Sequence, residues 1–263
     1  MTEPFILRQD GNHIATLTLN RPAALNALSD AMIAALTAEL DSLAADRSIR
    51  VVILRGAGRA FCAGHDLKEM QAARAQPDKG AAAFADLFAR CAILMQRIPA
   101  LPQPVIAQVH GIATAAGCQL AASCDLVVAA DDARFGVNGV NIGLFCSTPM
   151  VALTRKVPPA VAFEMLTTGE FLSAPRAREV GLVNRLATPD ALDEQTRHLA
   201  ETLAAKLTAA VHIGKRAFYD QLGLPLDQAY ARTGATMVDN MLWRDTDEGI
   251  TAFLEKRKPD WAE

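Results

Sequence analysis

Short runs of branched apolar residues, separated by helical patterns, are the feature that most constrains how this chain folds. Such runs occupy residues 50–54, 104–109 and 126–130, and residues 14–19 alternate branched and small side chains as a strand does. Apolar residues at helical spacing lie between the runs, most clearly over residues 30–45. Buried strands that alternate with helices indicate an α/β domain rather than an all-β protein.

The last part of the chain has a different pattern. From about residue 149 the sequence is almost wholly helical, and no linker, low-complexity tract or exact repeat interrupts it. We therefore expect an α/β core over residues 1–200 and a helical C-terminal region over residues 201–263. The intervals with the clearest helical pattern are 174–180, 189–207, 209–222 and 226–241.

Composition and charge limit the classes of partner. Hydrophobic residues make up 51% and charged residues 21% of the 263 residues, the balance of a globular chain rather than a disordered one. Lysine and arginine number 26 against 29 acidic residues, so the formal charge is −3. Nucleic-acid binding needs a clear excess of positive charge, and we expect no nucleic-acid partner. An anionic ligand has to be met by local positive charge.

The cysteines and the N-terminal residues bear on cellular location. The 5 cysteines lie in apolar surroundings without a C-x-x-C pair, which favours buried free thiols in a reducing compartment. Residues 1–4 show no secretory signal, and early acids with late arginines make a poor mitochondrial presequence. Residues 105–130 are apolar but interrupted by polar groups, which indicates buried core rather than a membrane span. We therefore expect a cytoplasmic protein with no membrane partner.

Several common site signatures are missing from the sequence. Gly56-Ala-Gly58 is followed by Phe61, so a dinucleotide-binding motif fails at its third glycine, and Gly214-Lys215 lacks the upstream glycine of a P-loop. The histidines show no metal-ligand spacing, and we expect no metal site. A G-x-S-x-G motif is also missing, which disfavours an α/β-hydrolase.

Two glycine-rich segments remain, and each follows a predicted strand. Residues 58–68 have the sequence Gly-Arg-Ala-Phe-Cys-Ala-Gly-His-Asp-Leu-Lys, and residues 111–119 have Gly-Ile-Ala-Thr-Ala-Ala-Gly-Cys-Gln. Small residues between a strand and a helix leave backbone N–H groups unshielded, so these groups can face an anion or a polarised carbonyl. Either segment alone is explained better by a tight turn and close helix packing. Finding both after neighbouring strands shifts the balance towards a binding site.

The sequence resembles the crotonase (enoyl-CoA hydratase/isomerase) superfamily over essentially its whole length. The matching segments, in order, are 20–28, 51–68, 104–125 and 248–259. Residues 64–68 and 143–149 are similar to one subgroup in particular. The resemblance implies the ClpP/crotonase-like fold, in which repeated ββα units form a spiral core and the helical C-terminal region mediates trimer contacts. It also implies an acyl-CoA ligand, with coenzyme A as part of the substrate and no permanently bound cofactor, and a homotrimer or a hexamer made of two trimers.

The resemblance also assigns roles to residues. In this family two backbone N–H groups hold the thioester oxygen, and by motif position they belong to His65 and Ala116. A helix that starts at Ala116 and Gly117 would add its positive end. The positions that meet coenzyme A correspond to Ala24, Ala63, Gly64, Asp66, Leu67 and Lys68. A family lysine after Arg-Pro is replaced by Ala23, so one cationic contact is missing. Residues 256–258 either replace that contact or form a solvated helix end.

The implied acyl pocket departs from the hydratase pattern. Its residues are Gln119, Asn138, Gly139 and Asn141. Two glutamates handle water and proton in typical hydratases, and their positions correspond to Gln119 and approximately to Gly139. An amide cannot act as a general base near neutral pH and glycine has no side chain, so two-glutamate hydration is not expected. Cys146 and Ser147 are candidate pocket groups, but neither has an evident base beside it.

Two functions therefore stay open. We expect an enzyme of lyase or isomerase type that stabilises a thioester enolate. Reactions needing little acid–base help, such as decarboxylation of a malonyl-type thioester, fit it best. The alternative is a non-catalytic acyl-CoA-binding oligomer. Neither Asp66 nor Asp125 is expected to supply a base, because Asp66 is placed to cap a helix and Asp125 to be structural.

Overall fold

The computed structural model describes residues 3–262. Met1, Thr2 and Glu263 lie outside the described residues. Met1 and Thr2 begin the predicted core region and its N-terminal segment, and Glu263 ends the predicted C-terminal region. The strands are β1 (Ile6–Gly11), β2 (Ile14–Leu19), β3 (Val51–Gly56), β4 (Val105–Val109), β5 (Ile112–Thr114), β6 (Leu126–Ala130), β7 (Arg134–Gly136), β8 (Leu172–Ser173) and β9 (Arg185–Ala187). The helices are α1 (Asp30–Ala45), α2 (Leu67–Ala73), α3 (Ala81–Ala100), α4 (Ala116–Ser123), α5 (Ser147–Leu153), α6 (Pro159–Thr168), α7 (Ala174–Glu179), α8 (Leu192–Ala204), α9 (Thr208–Gln221), α10 (Leu226–Met241) and α11 (Arg244–Leu254).

Two sheets organise these elements. The larger sheet has the strand order β1-β2-β3-β4-β6-β9, in which only β1 and β2 are antiparallel neighbours. Its inner strands are buried along most of their length, as expected for parallel strands covered on both faces. The smaller sheet has the order β5-β7-β8, and Cys62 extends it through a parallel bridge to Ala113.

The two sheets are linked by a repeated unit. β4 continues into β5 and then α4, while β6 continues into β7 and a 3-10 helix over Asn138–Ile142. β3 leads in the same way to the bridge at Cys62 and then to α2. The carboxyl ends of three adjacent short parallel segments therefore meet on one side of the smaller sheet. Both glycine-rich segments of the sequence are found at this place.

The structure differs from the predicted elements after residue 149. We expected an almost wholly helical chain there, but β8 pairs with β7, and β9 adds a parallel edge strand beside β6. Two- and three-residue strands are too short to show an alternating pattern, so only their pairing defines them. Within residues 3–262 no helix combines the length and the apolar character needed to cross a bilayer.

The C-terminal helices lie outside the main core. α8, in which residue 200 falls, packs against β3, β4 and β6. α9, α10 and α11 follow it and carry large exposed apolar side chains. Leu242, which directly follows α10, and Phe253 on α11 are 80% and 81% exposed. A buried ion pair between Lys215 on α9 and Asp125 connects these helices to the core.

Candidate functional site

The first glycine-rich segment is fixed by its neighbours in the smaller sheet. The Cys62 N–H donates to the Ile112 carbonyl at 3.2 Å, and the Cys62 carbonyl accepts from Thr114 N–H at 3.0 Å. The Leu28 N–H donates to the Gly64 carbonyl at 2.7 Å, which ties the segment to the chain before α1. These bonds fix the backbone on both sides of Gly64, so its conformation is imposed by the sheet.

Gly64 lies directly against the second glycine-rich segment. Its φ is +93°, and a Cβ atom there would lie 2.9 Å from the Ala115 Cβ and 3.4 Å from the Ala116 nitrogen. Ala115 itself has φ 50° and ψ −121°, a conformation that costs a residue with a side chain roughly 1–3 kcal/mol. Its N–H donates to the Gly136 carbonyl at 2.9 Å, which holds it in place. The chain therefore maintains a strained backbone at the point where the two segments meet.

Two unpaired backbone donors flank this contact. Among residues 3–262, neither the His65 N–H nor the Ala116 N–H donates a hydrogen bond to another residue. Ala116 is the first residue of α4, so its N–H has no partner within the helix and lies at the positive end of the helix dipole. The arrangement can hold one partially negative oxygen atom between two donors.

Gly117 has a packing role beside these donors. A Cβ atom at this position would overlap the carbonyl oxygen of Cys62 and would lie 2.9 Å from the Cys62 Cβ. Glycine therefore allows the first turn of α4 to approach the Cys62 segment closely. Without that approach the Ala116 N–H would be displaced from the neighbourhood of Gly64.

The His65 side chain is buried beside the site. Its ring packs edge-on against Phe88, with the ring centroids 5.7 Å apart. Burial lowers the pKa of His65, although the Leu28 backbone and the Asp30 carboxylate oppose the shift. The imidazole is therefore neutral at pH 7, and it fills space between the segment and α3.

The predicted coenzyme A positions are grouped around the start of α2. Asp66 caps this helix, as the sequence predicted, and accepts from the N–H groups of Lys68 at 2.8 Å and Glu69 at 3.3 Å. The Ala63 N–H donates to the Leu25 carbonyl at 3.0 Å, which brings the 3-10 helix ending at Ala24 close to this segment. Leu67 and Lys68 are exposed, and the structure shows no ion pair of Lys68 with any described residue. This lysine is available to an anionic ligand.

Residues 256–258 are the second candidate source of positive charge, and one of them already forms ion pairs within the protein. Arg257 donates to Glu248 and Glu255, each at 2.6 Å. The paired guanidinium lowers the pKa of Glu248 to about 2. Lys256 and Lys258 remain exposed on either side of this arginine.

An apolar cleft of about 540 Å³ opens beside His65. Its walls come from α2, α3 and the turn after the 3-10 helix, and they include Met70, Arg74, Phe84, Phe88, Ile142 and Leu144. Of the described residues that line it, none carries a carboxylate. The sequence analysis missed these residues, although the helical spacing of Phe84 and Phe88 on α3 is a signal for a shared apolar face.

Among the described residues, those that line this cleft include neither of the two positions that the resemblance assigns to hydratase glutamates. Gln119 is 4% exposed on α4. A Cβ atom at Gly139 would overlap the Leu144 carbonyl oxygen and would lie 2.8 Å from Cys146 Sγ. Leu144 N–H also donates to the Gly139 carbonyl at 3.0 Å, so the turn is closed over this position. A side chain of any kind therefore needs a rearranged turn at Gly139.

The other predicted pocket groups are distributed differently. Asn138 accepts from the Thr114 hydroxyl at 2.7 Å, which connects it to the strand that precedes Ala116. Asn141 is exposed and contacts Gly169 at the end of α6 instead. Burial raises the pKa of Cys146, so its thiol is protonated at neutral pH, and Ser147 is exposed and bonds only the Phe145 carbonyl.

Asp125 is structural, as the sequence predicted. Its carboxylate accepts from Lys215 and from the Tyr219 hydroxyl, each at 2.7 Å, and from Val105 N–H at 2.6 Å. Within the described part of the chain, no group of three or more His, Cys, Asp or Glu side chains is placed to hold a metal ion.

Comparisons with known proteins agree with this architecture. The family model described as "Enoyl-CoA hydratase/isomerase" matches residues 9–263. Enoyl-CoA hydratase domain-containing protein 3, mitochondrial, of Homo sapiens is 45% identical over 249 residues, covering 95% of this chain and 80% of that protein. The 2,3-dehydroadipyl-CoA hydratase of Escherichia coli (strain K12) is 36% identical over 262 residues, covering 99% of each. A crystal structure of enoyl-CoA hydratase from Mycobacterium smegmatis has a TM-score of 0.95 at 54% identity, covering 99% of this chain and 100% of that one.

The expected cytoplasmic location is wrong by these comparisons. The similar proteins from Homo sapiens, Xenopus laevis and Rattus norvegicus are all named mitochondrial, which contradicts that expectation. The buried thiols on which the expectation rested argue only against an oxidising compartment. They do not distinguish the cytosol from another reducing compartment.

The comparisons confirm two predictions made from the sequence. The subgroup that residues 64–68 and 143–149 resemble is enoyl-CoA hydratase domain-containing protein 3, and this similarity is confirmed. The predicted ClpP/crotonase-like fold with a helical C-terminal region is confirmed as well. The chain belongs to the enoyl-CoA hydratase/isomerase family.

Proposed function

We propose that this protein binds an acyl-CoA thioester and stabilises its enolate with the backbone N–H groups of His65 and Ala116. The observation that carries the proposal is the pair of unpaired N–H groups where Gly64 meets Ala115. Enolate formation moves negative charge onto the thioester oxygen. Two preorganised donors in a site shielded from water stabilise that charge by about 3–4 kcal/mol each.

The coenzyme A part of the ligand is assigned to the surface around α2. Lys68 supplies positive charge for the phosphates, and the backbone around Ala63 and Leu67 receives the adenine. The 3-10 helix that ends at Ala24 borders the same surface. This assignment is supported by the exposure of Lys68 and by the hydrogen bond that joins Ala63 to Leu25. It supplies the local positive charge that a chain of net charge −3 otherwise lacks.

Ordinary hydration is not the reaction that we assign to this site. Adding water across a double bond needs a group that takes a proton from water and a group that protonates the neighbouring carbon. Gln119 does not titrate, and Gly139 has no room for a side chain. The described residues that line the cleft offer no carboxylate in their place. The site is therefore equipped to polarise a thioester without moving protons itself.

Acetoacetyl-CoA tests the donor pair separately from any protein base. This 3-oxoacyl thioester is acidic enough to ionise without a protein base, and its enolate absorbs in the ultraviolet. We expect the wild-type protein to raise the ratio of enolate to neutral form at least about tenfold on binding, which corresponds to one unit in the ligand's pKa. Binding without any change in absorbance would refute the proposal.

Two alanine variants separate the donors from general backbone strain. Gly64→Ala places a methyl group against Ala115 and displaces the donors, so we expect the absorbance change to be lost. Gly181→Ala is the matched control, because its φ of +87° is nearly the same and its nearest contact is an ordinary 3.5 Å. Equal absorbance changes in both variants would contradict the assigned role of Gly64.

A non-catalytic acyl-CoA-binding oligomer is the second candidate, and the missing carboxylates favour it. Crotonyl-CoA and malonyl-type thioesters separate the two, since an enzyme turns over at least one thioester of such a panel and a binder turns over none. Hydration of crotonyl-CoA at an ordinary enzymatic rate, abolished by Gln119→Ala, would refute our account of the pocket.

We also propose that residues 201–263 form the oligomer contact of a trimer or of a hexamer made of two trimers. The support is the exposure of large apolar side chains on α9–α11, which in water favours association. Light scattering on the purified protein measures the mass directly. Replacing Leu242 and Phe253 together by serine is expected to shift that mass towards the monomer, and an unchanged mass would count against this interface.

A further inference from the structure

Arg74 is the one charged residue among the described residues that line the apolar cleft. Its guanidinium group donates no hydrogen bond and forms no ion pair within residues 3–262, where it lies over the ring of Phe84. Arg90 on α3 differs, because it pairs with both Asp30 and Asp86. Arg74 therefore presents an uncompensated positive charge to the cleft.

The packing around Arg74 holds its side chain at the cleft wall. The guanidinium carbon lies 5.8 Å from the centroid of the Phe84 ring, a distance at which an aromatic face attracts a cation. A Cβ atom at Gly80 would lie 2.9 Å from the Ala73 carbonyl oxygen and 3.0 Å from the Phe84 ring, so the end of α2 packs closely on the start of α3. The ring contact orients the guanidinium group without neutralising it, which leaves its N–H groups for a ligand.

The cleft connects Arg74 to the donor pair. The His65 ring packs edge-on against Phe88 with the centroids 5.7 Å apart, and Phe88 lines the cleft. Phe84 precedes Phe88 by four residues, which is about 6 Å along α3. The two phenylalanine rings therefore lead from the residue that carries one donor to the guanidinium group. An acyl chain held at the donors and lying along these rings has its far end at Arg74.

We infer that the cleft selects acyl-CoA thioesters whose acyl chain ends in a second carboxylate, and that Arg74 is the specificity-determining residue that binds this carboxylate. The inference rests on the proposed function, because it requires the thioester to bind at His65 and Ala116. A guanidinium group matches a carboxylate with two parallel N–H···O bonds. The apolar walls along the rest of the cleft suit the methylene groups between the thioester and the carboxylate.

A chain that ends in a methyl group fits the same cleft less well. It packs against the rings, but it displaces water from a cation that then has no partner, which is unfavourable. The described lining residues carry no carboxylate, so none of them competes for Arg74. Gln71, the other polar side chain of the lining, lies three positions before Arg74 and thus on the same helix face, where its amide adds a further donor.

Calorimetric binding of thioesters matched in chain length to the full-length protein tests the inference. The pairs are adipyl-CoA with hexanoyl-CoA, suberyl-CoA with octanoyl-CoA, and sebacyl-CoA with decanoyl-CoA. We expect the dicarboxylic member of at least one pair to bind at least about tenfold more tightly, which corresponds to about 1.4 kcal/mol. Arg74→Met removes the cation and keeps an unbranched side chain, so the preference in that pair should be lost or reversed. Arg74→Lys should restore part of it, and Arg74→Gln is the second neutral variant if the methionine variant does not fold.

Lys79→Met is the matched control, because it removes the same charge from the exposed turn between α2 and α3, at a residue that is not among the described residues of the cleft lining. We expect it to keep the wild-type ratio of Kd values. A wild-type ratio near one in every pair, an unchanged ratio in Arg74→Met, or an equal loss in Lys79→Met overturns the inference.

Equal weakening of free CoA, octanoyl-CoA and suberyl-CoA by Arg74→Met also overturns it, because the guanidinium group then serves the phosphates of coenzyme A. If acetoacetyl-CoA still forms its enolate on the wild-type protein in any of these cases, the proposed function stands. If no CoA thioester binds, both fail.

Discussion

Lys215 provides the sharpest test of how the C-terminal helices are attached to the core. Its ammonium group donates to Asp125 at 2.7 Å, to the Gln103 carbonyl at 2.8 Å and to the Ile98 carbonyl at 3.0 Å. The Lys215 side chain is only 6% exposed, and burial lowers its pKa although Asp125 opposes the shift. One side chain on α9 thus satisfies three buried acceptors that belong to the core.

Lys215→Met removes this cation and leaves its partners in place. The Asp125 carboxylate then remains buried with the Tyr219 hydroxyl and a backbone N–H, and two carbonyl groups lose a donor. Leaving a buried charge without its partner typically destabilises a protein by about 3–5 kcal/mol. At roughly 2–4 °C per kcal/mol for a chain of this size, the loss is large enough to measure in a thermal scan.

A second substitution tests whether the loss comes from the unpaired charge. Asp125→Asn in the Lys215→Met background removes the charge, so we expect the double variant to lose about 0.5–3 kcal/mol less than the sum of the single variants. Urea unfolding at one fixed protein concentration measures all three, because association would otherwise change the apparent stability.

An exposed ion pair on the same helices is the control. Arg232 on α10 contacts Asp220 on α9 at 3.1 Å, with side chains 53% and 40% exposed. Pairs of this kind contribute about 0–1 kcal/mol, so Arg232→Met should change the free energy of unfolding by no more than that. If Lys215→Met costs no more than Arg232→Met, or if the double variant is additive, the buried pair does not anchor the C-terminal helices.

Two further predictions concern the site. Gly139→Ala should destabilise the protein by about 1–3 kcal/mol in urea unfolding, because its methyl group overlaps the Leu144 carbonyl. Gly214→Ala, in the open interior of α9, should instead stabilise it by roughly 0.5–1 kcal/mol, and the same sign for both would contradict this account. The pKa of His65 is lower in the folded protein than in the unfolded chain. The free energy of unfolding should therefore not depend on this group above about pH 6.5, where the imidazole is neutral in both states. It should fall with pH towards the lowered pKa, as the unfolded chain takes up a proton first. His65→Phe should remove this part of the pH dependence, and an unchanged pH profile would refute it.

The strand and helix order was predictable because it depends on local pattern. The runs at 104–109 and 126–130 contain buried strands, and the helix expected to start at Ala116 and Gly117 is α4. Glycine at 64 and 117 marked the close approach of backbones, since a side chain at either position would collide with the neighbouring segment. These features are encoded over a few residues each.

What could not be predicted depends on residues distant in sequence. Asp125 and Lys215 are separated by 90 positions, and neither shows its partner in the sequence around it. The cleft needs α2, α3 and the turn at Leu144 to come together, which is a consequence of the whole fold. Gly139 was recognised as a missing carboxylate, but the Leu144 carbonyl that fills its space was not.

In the proposed site, thioester polarisation depends on backbone groups, whereas proton transfer would depend on side chains. The two donors are N–H groups positioned by sheet hydrogen bonds and by the packing of Gly64 against Ala115, so they do not depend on any carboxylate. In the function that we propose, glutamine at position 119 and glycine at position 139 therefore remove proton transfer and leave thioester polarisation in place. Because the turn at Leu144 also closes the space at Gly139, restoring one glutamate at Gln119 would provide only one of the two acid–base groups.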